Sequence, residues 1–197
     1  LNKVHSKPFL GIASAEKNKL DIESRLEIIC GYGTNKNIVL TDKGETGTQQ
    51  EYKNAEDVVL CELKAMQAVG AFPQMTLDSD KKLIYARTQT FTDMSSAGSY
   101  VKVNIFSFSS GNSEIQVMTD SETNHIYQYE VGSRNEFVEQ DLSNIPSNFA
   151  NYLGIQLNEV TNSEDNIVTY STENQKINYL IAISHDFIAL QLMFGLA

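Results

Sequence analysis

The chain has 197 residues, 41% hydrophobic and 20% charged, with a net charge of −10 and an isoelectric point near 4.7. That composition excludes a disordered, collagen-like or coiled-coil chain. It disfavours nucleic acid as a partner, because phosphate neutralisation needs clustered Lys and Arg, and no apolar run approaches the ~18 residues of a membrane-spanning helix.

The chain opens with "LNKVHSK", without Met, which suggests a removed signal, anchor or trimmed start. Residues 1–14 read as irregular, broken by Pro8. In "AEKNKLDIESRLEIIC" (15–30), Leu20, Ile22, Leu26 and Ile29 recur near helical spacing, and Gly31 and Gly33 stop the helix. "NIVLT" (37–41) predicts a short strand before the polar loop "DKGETGTQQ". "EYKNAEDVVLCELKAMQAV" (51–69) predicts the clearest helix. Tyr52, Ala55, Val59, Leu63 and Met66 share one face, and Gly70 is placed to end it.

The character then changes to β-branched and aromatic residues in alternation. Strands are predicted over 82–91, 100–109, 113–119 and 125–131, with a tight hairpin at "SGN" (110–112). Val101, Val103 and Ile105 fall on one face of the second strand, with Tyr100, Phe106 and Phe108 on the other, so both faces carry apolar surface. "SNIPSNFANYLGI" (143–155) predicts a short helix capped by Ser147 and stopped by Gly154. Strands follow over 166–172, 177–184 and 187–194, the last two joined by a hairpin at "SHDF".

The fold class implied is α+β, an antiparallel twisted sheet with helices packed on one face. Three segments are expected: a helical or irregular N-terminus (1–50), a first α-β-β-β(-β) unit (51–142) and a second α-β-β-β unit (143–197), joined in one compact fold. Gly70 matches Gly154, Ile84 matches Ile167, and "SEIQVM" matches "FIALQLM". This reads either as an internal repeat or as the shared vocabulary of any amphipathic αβββ segment.

Chemistry-bearing residues are few. Cys30 and Cys61 lie in apolar runs. They read as two buried small hydrophobes or as one disulfide, and a disulfide would place the protein outside the reducing cytosol. His125 and His185 flank hairpin turns, and His5 lies in the N-terminal tail. "TDSETN" (119–124) offers Asp120, Glu122 and Asn124 at alternate positions, and "LDSDKK" offers Asp78 and Asp80. A calcium loop would need Gly where His125 stands, Glu where Val131 stands, and flanking helices. Turn chemistry explains these residues instead, so no metal and no cofactor are expected. Tyrosines are numerous on the predicted strands. Tyr127, Tyr129, Tyr170 and Tyr179, with His125 and His185, are the candidate lining of a peptide- or carbohydrate-binding face; the simpler reading is that Tyr favours strands.

Val117, Asp120, Thr123 and Ile126 form a V-x-x-D-x-x-T-x-x-I pattern that resembles the strand–turn–strand of PepSY-type domains, with Asn124 in place of Gly. The wider order, from "SRLEIICGYG" through a helix ending "GAFP" to a strand-rich body, resembles uncharacterised membrane-anchored proteins of Gram-positive bacteria. The resemblance implies an extracytoplasmic domain, either secreted or attached to a membrane only through a removed N-terminal anchor; the alternative is a cytoplasmic one. On this reading it is a non-catalytic binding or regulatory domain whose partner is a protein, peptide or envelope component. The alternative is a small-molecule-binding or hydrolytic domain with its site in the sheet concavity.

Overall fold

Asp21 opens the first helix: its carboxylate accepts the Ser24 N–H at 2.8 Å, satisfying one orphan donor of the first turn. Helix α1 (Ile22–Cys30) then runs to Gly31. The computed structural model describes residues 20–44, 49–77, 82–96, 98–133, 137, 139–162 and 167–195. The expected helical residues 15–19, and Asp78 and Asp80, lie outside that range.

Helix α2 (Gln49–Ala68) buries Val59, Leu63 and Met66 as its spacing predicts. It ends where Gly70 turns left-handed (φ 70°) and the Ala71 N–H reaches back to the Met66 carbonyl at 2.8 Å. Helix α3 (Ile145–Leu153) ends the same way at Gly154 (φ 69°). Its start differs from expectation. The N-cap is Asn144, without a side-chain cap bond, because Pro146 sets the first turn. Ser147 sits inside the helix and donates its hydroxyl to the Asn144 carbonyl.

Among the described residues, nine strands form one antiparallel sheet: β1 (Ile38–Asp42), β2 (Lys82–Asp93), β3 (Ser99–Ser110), β4 (Ser113–Asp120), β5 (Ile126–Ser133), β6 (Asn158–Asn162), β7 (Ile167–Ser171), β8 (Asn178–Ile183) and β9 (Phe187–Leu192). The spatial order is β1-β2-β3-β4-β5-β9-β8-β7-β6. Each of α2 and α3 is thus followed by four strands, and the last of each set, β5 and β9, pair at the middle (Tyr129 opposite Leu190). The three-strand reading of 143–197 missed β6, since an edge strand carrying Asn, Glu and Thr shows no apolar alternation. The match of "SEIQVM" to "FIALQLM" also sets β4 against β9, whereas by position β5 corresponds to β9.

Directly opposed residues of an antiparallel sheet share a face. Tyr129, Val117, Phe106 and Ala86 oppose one another in turn across β5, β4, β3 and β2. The Tyr129 ring meets Phe72, just beyond α2, at 4.9 Å and Phe149 of α3 at 5.8 Å, so α2 and α3 cover this face. Asp120, Val103 and Gln89 also oppose one another, but with the other parity. Arg25 of α1 bonds Asp120, so α1 approaches from the opposite side. The expectation of helices on one face alone is therefore corrected. The cause is apolar surface on both faces: Val101 and Val103 have no exposed area and would be wet without a second cover.

Candidate functional site

The predicted turn between β4 and β5 is where the two covers meet. β5 bulges at Tyr127, since Met118 pairs with Gln128 and Thr119 with Ile126. The bulge aims the Tyr127 hydroxyl at Asp120 Oδ2, 2.9 Å away. Arg25 Nη1 donates to the same oxygen at 2.9 Å, while Arg25 Nη2 donates to Glu122 Oε2 at 2.6 Å and Nε to the Leu20 carbonyl at 3.0 Å. Asp120 Oδ1 accepts the N–H groups of Glu122 and Thr123. Asn124 takes the left-handed conformation (φ 64°) expected of the residue replacing Gly. Asp120 is wholly buried, and its lone pairs are spent on protein donors. Burial tends to strip Arg25 of its proton, but Glu122 and Asp120 more than offset this and raise its pKa. Burial first, and Asp120's charge second, push the Tyr127 phenol well above its ordinary value. These acids staple α1 to the sheet. Among the described residues, no group of three or more His, Cys, Asp or Glu side chains is arranged to hold a metal ion.

The six sequence candidates do not assemble. Tyr127, Tyr129 and Tyr179 are core residues with no exposed area. The Tyr129 hydroxyl donates to the Ala71 carbonyl and that of Tyr179 to the Tyr127 carbonyl, both across the core. They cannot line a binding face. Tyr129 and Tyr179 lie on the face that α2 and α3 cover, where both rings meet Phe149, and the bulge turns Tyr127 inward onto Asp120. Tyr170 is half-buried on β7. His125 is half-buried, its ring 5.5 Å from that of Tyr152. His185 is exposed, its Nε2 3.9 Å from Asp186 Oδ2. Cys30 and Cys61 are both free thiols. Cys30 is buried on α1 and Cys61 exposed on α2, with the sheet between their helices.

What the structure does bring together lies on the α1 side of the sheet. Arg87, Ile105, Met118 and Gln128 oppose one another across β2 to β5, flanked by Gln89 and Gln116. Tyr32, just after α1, and Phe194, just after β9, stand over this floor. Both rings pack on Phe91: Tyr32 edge-on at 5.8 Å, Phe194 stacked at 6.2 Å with planes 12° apart. The Gly195 N–H fastens this C-terminal segment to the Cys30 carbonyl at 3.2 Å. Tyr32 remains 37% exposed and Phe194 43%. Floor and wall enclose a cleft of about 240 Å³.

Asp42 on the edge strand β1 organises its polar side. It accepts from the Gln89 amide at 3.1 Å and faces Arg87 Nη1 at 3.4 Å. The Asp42 carboxyl is held below its ordinary pKa, chiefly by the Gly44 N–H and then by the Gln89 amide. Arg87 Nε is buried without a hydrogen-bond partner among the described residues. Among the described residues, the cleft lining contains amides, a guanidinium, aromatic rings, a thioether and aliphatic groups, but no carboxylate, imidazole or thiol.

A second, wider hollow of about 780 Å³ lies at the β3–β4 hairpin end, lined by serines and glycines with Glu114 and Asp186. Both carboxylates stand in solvent, where water reaches them freely. Comparison of the chain with family models, curated proteins and solved structures finds no match. The site therefore rests on its own geometry.

Proposed function

We propose that the chain is a binding domain rather than an enzyme, and that it holds its ligand in the cleft between the Tyr32–Phe194 wall and the Arg87–Gln89–Gln116–Gln128 floor. One observation carries this reading. Exposed aromatic rings and convergent hydrogen-bonding groups share a concavity whose lining offers recognition but no group that takes up or delivers a proton near neutral pH.

The resemblance to membrane-anchored proteins extends the proposal to an extracytoplasmic setting, with an envelope component, peptide or protein supplying the ligand. A duplicated helix-plus-strands unit is part of the same reading, supported by the left-handed Gly70 and Gly154 at matching helix ends. The test is a fragment screen by protein-observed NMR. Hits should shift the side-chain amides of Gln89, Gln116 and Gln128. Hits that all map to a separate groove between α2 and β3, lined by Val58, Val59, Asn104 and Phe106, or to the Glu114–Asp186 hollow, overturn the assignment.

A further inference from the structure

We infer that the cleft takes a single neutral, hydroxyl-bearing ring, that is, one unit of an uncharged glycan. This deepens the binding-cleft reading and rests on it.

Size comes first. At about 240 Å³ the cleft falls below the ~300–1,000 Å³ of sites for drug-sized ligands, which suits one ring rather than a long chain. Charge comes second. Arg87, the cation of the lining, already faces the Asp42 carboxylate at 3.4 Å, so an anionic ligand would meet a neutralised pair and a nearby negative oxygen.

Hydrogen bonding comes third. A hydroxyl both donates and accepts, and a primary amide offers two N–H donors and a carbonyl acceptor. Gln128 commits its carbonyl oxygen to the Leu192 N–H at 3.3 Å, which leaves its amide protons for a ligand. Gln89 commits its amide to Asp42, which leaves its carbonyl oxygen. Donors and acceptors thus stand side by side, as adjacent hydroxyls require. The wall supplies the rest: a saturated ring has a face of C–H bonds, and Tyr32 and Phe194 offer it partly exposed aromatic surface. An extended peptide fits less well. It binds a sheet by adding to a free edge, whereas this floor is β2 to β5, each flanked by a strand on both sides.

The test is an NMR titration with a panel of neutral saccharides, including maltotriose, cellotriose and chitotriose, against acetylated tripeptides and a galacturonic acid trimer. At least one neutral saccharide should give saturable shifts at the cleft amides. The change Gln116→Ala, at an exposed position, should weaken it about tenfold, the loss of roughly one well-made hydrogen bond, with unchanged thermal unfolding. Saturation by peptides or the acidic trimer alone overturns the glycan assignment while leaving the cleft as a binding site. Saccharide binding that Gln116→Ala and Arg87→Ala both leave unchanged overturns it too. If no probe saturates, the glycan assignment falls, and the fragment screen separately decides whether the cleft binds anything.

Discussion

Arg25 and Asp120 stand 95 residues apart in sequence and form a buried ion pair at 2.9 Å. The pair fastens α1, on one side of the sheet, to the end of β4, and the aromatic wall of the cleft begins immediately after α1. Removing one member leaves the other charged in a dry site, which costs about 3–5 kcal/mol. Arg25→Ala and Asp120→Ala are each expected to lose stability on that scale in urea unfolding. Glu122→Gln, at a partly exposed partner, should lose far less. Equal losses for Glu122 and Asp120 would contradict the staple as described.

Four phenols are raised far above their ordinary pKa, mainly by burial: Tyr127, Tyr129, Tyr152 and Tyr179; Tyr170, half-buried, is raised as well. A raised folded value means the unfolded chain releases protons first as the solution turns alkaline. Stability is therefore intact below the ordinary tyrosine pKa of about 10 and falls above it, by up to roughly 1.4 kcal/mol per pH unit for each phenol. Tyrosinate absorbance should show these four silent until the protein unfolds. Tyr127→Phe should make the alkaline loss shallower. Smooth ionisation of every tyrosine before unfolding would be the contrary result.

Burial, chiefly, lifts the Cys30 thiol to about 11, whereas Cys61 is exposed. Because the thiolate is the reactive form, Cys61 alone should label rapidly in the native protein. Both should label in denaturant without reductant. A count of no free thiols in denaturant would restore the disulfide that the separation of α1 and α2 argues against.

Asp42 positions Gln89 and Arg87 rather than contributing to the core. Its carboxyl is held low, first by the Gly44 N–H and then by the Gln89 amide. A depressed value means these bonds persist above the ordinary Asp pKa of about 4 and are lost as pH falls through the folded value. Binding of a saccharide ligand should then be flat from neutral pH down to that region and weaken below it. Asp42→Ala should weaken binding at neutral pH while leaving unfolding almost unchanged, as expected for an exposed pair. An acid limb unchanged in Asp42→Ala would assign the titration to another group.

Elements with strong periodicity could be read from the sequence. α2, with Val59, Leu63 and Met66 in register, and β2 to β5, with their alternation, lie within two residues of expectation at either end. β6 could not, because its residues look like a polar loop until β7 supplies the pairing. The candidate site was misread for a related reason. Alternation shows that Tyr129 differs from Gln128 in facing, but not which side a helix covers, and it does not show the bulge that turns Tyr127 onto Asp120. Gln116 and Gln128 have the pattern of an ordinary wet strand face. Only the return of Phe194 beside Tyr32, from the two ends of the described chain, turns that face into a cleft.

The two left-handed helix ends separate backbone strain from packing. Gly70 and Gly154 have nearly the same φ, 70° and 69°. A Cβ on Gly154 would meet nothing within 4 Å, whereas one on Gly70 would lie 2.7 Å from Asn148 Nδ2. That nitrogen donates to the Gly70 carbonyl at 3.2 Å, tying the end of α2 to α3. Gly154→Ala should therefore cost only the conformational strain, about 1 kcal/mol. Gly70→Ala adds displacement of the Asn148 amide and loss of its bond, for a total of about 2–3 kcal/mol. Asn148→Ala in the Gly70→Ala background should then cost little more, since the bond is already gone. Paired urea unfolding curves give all three values. Equal costs at the two glycines would mean that α2 and α3 are not braced against each other through Asn148.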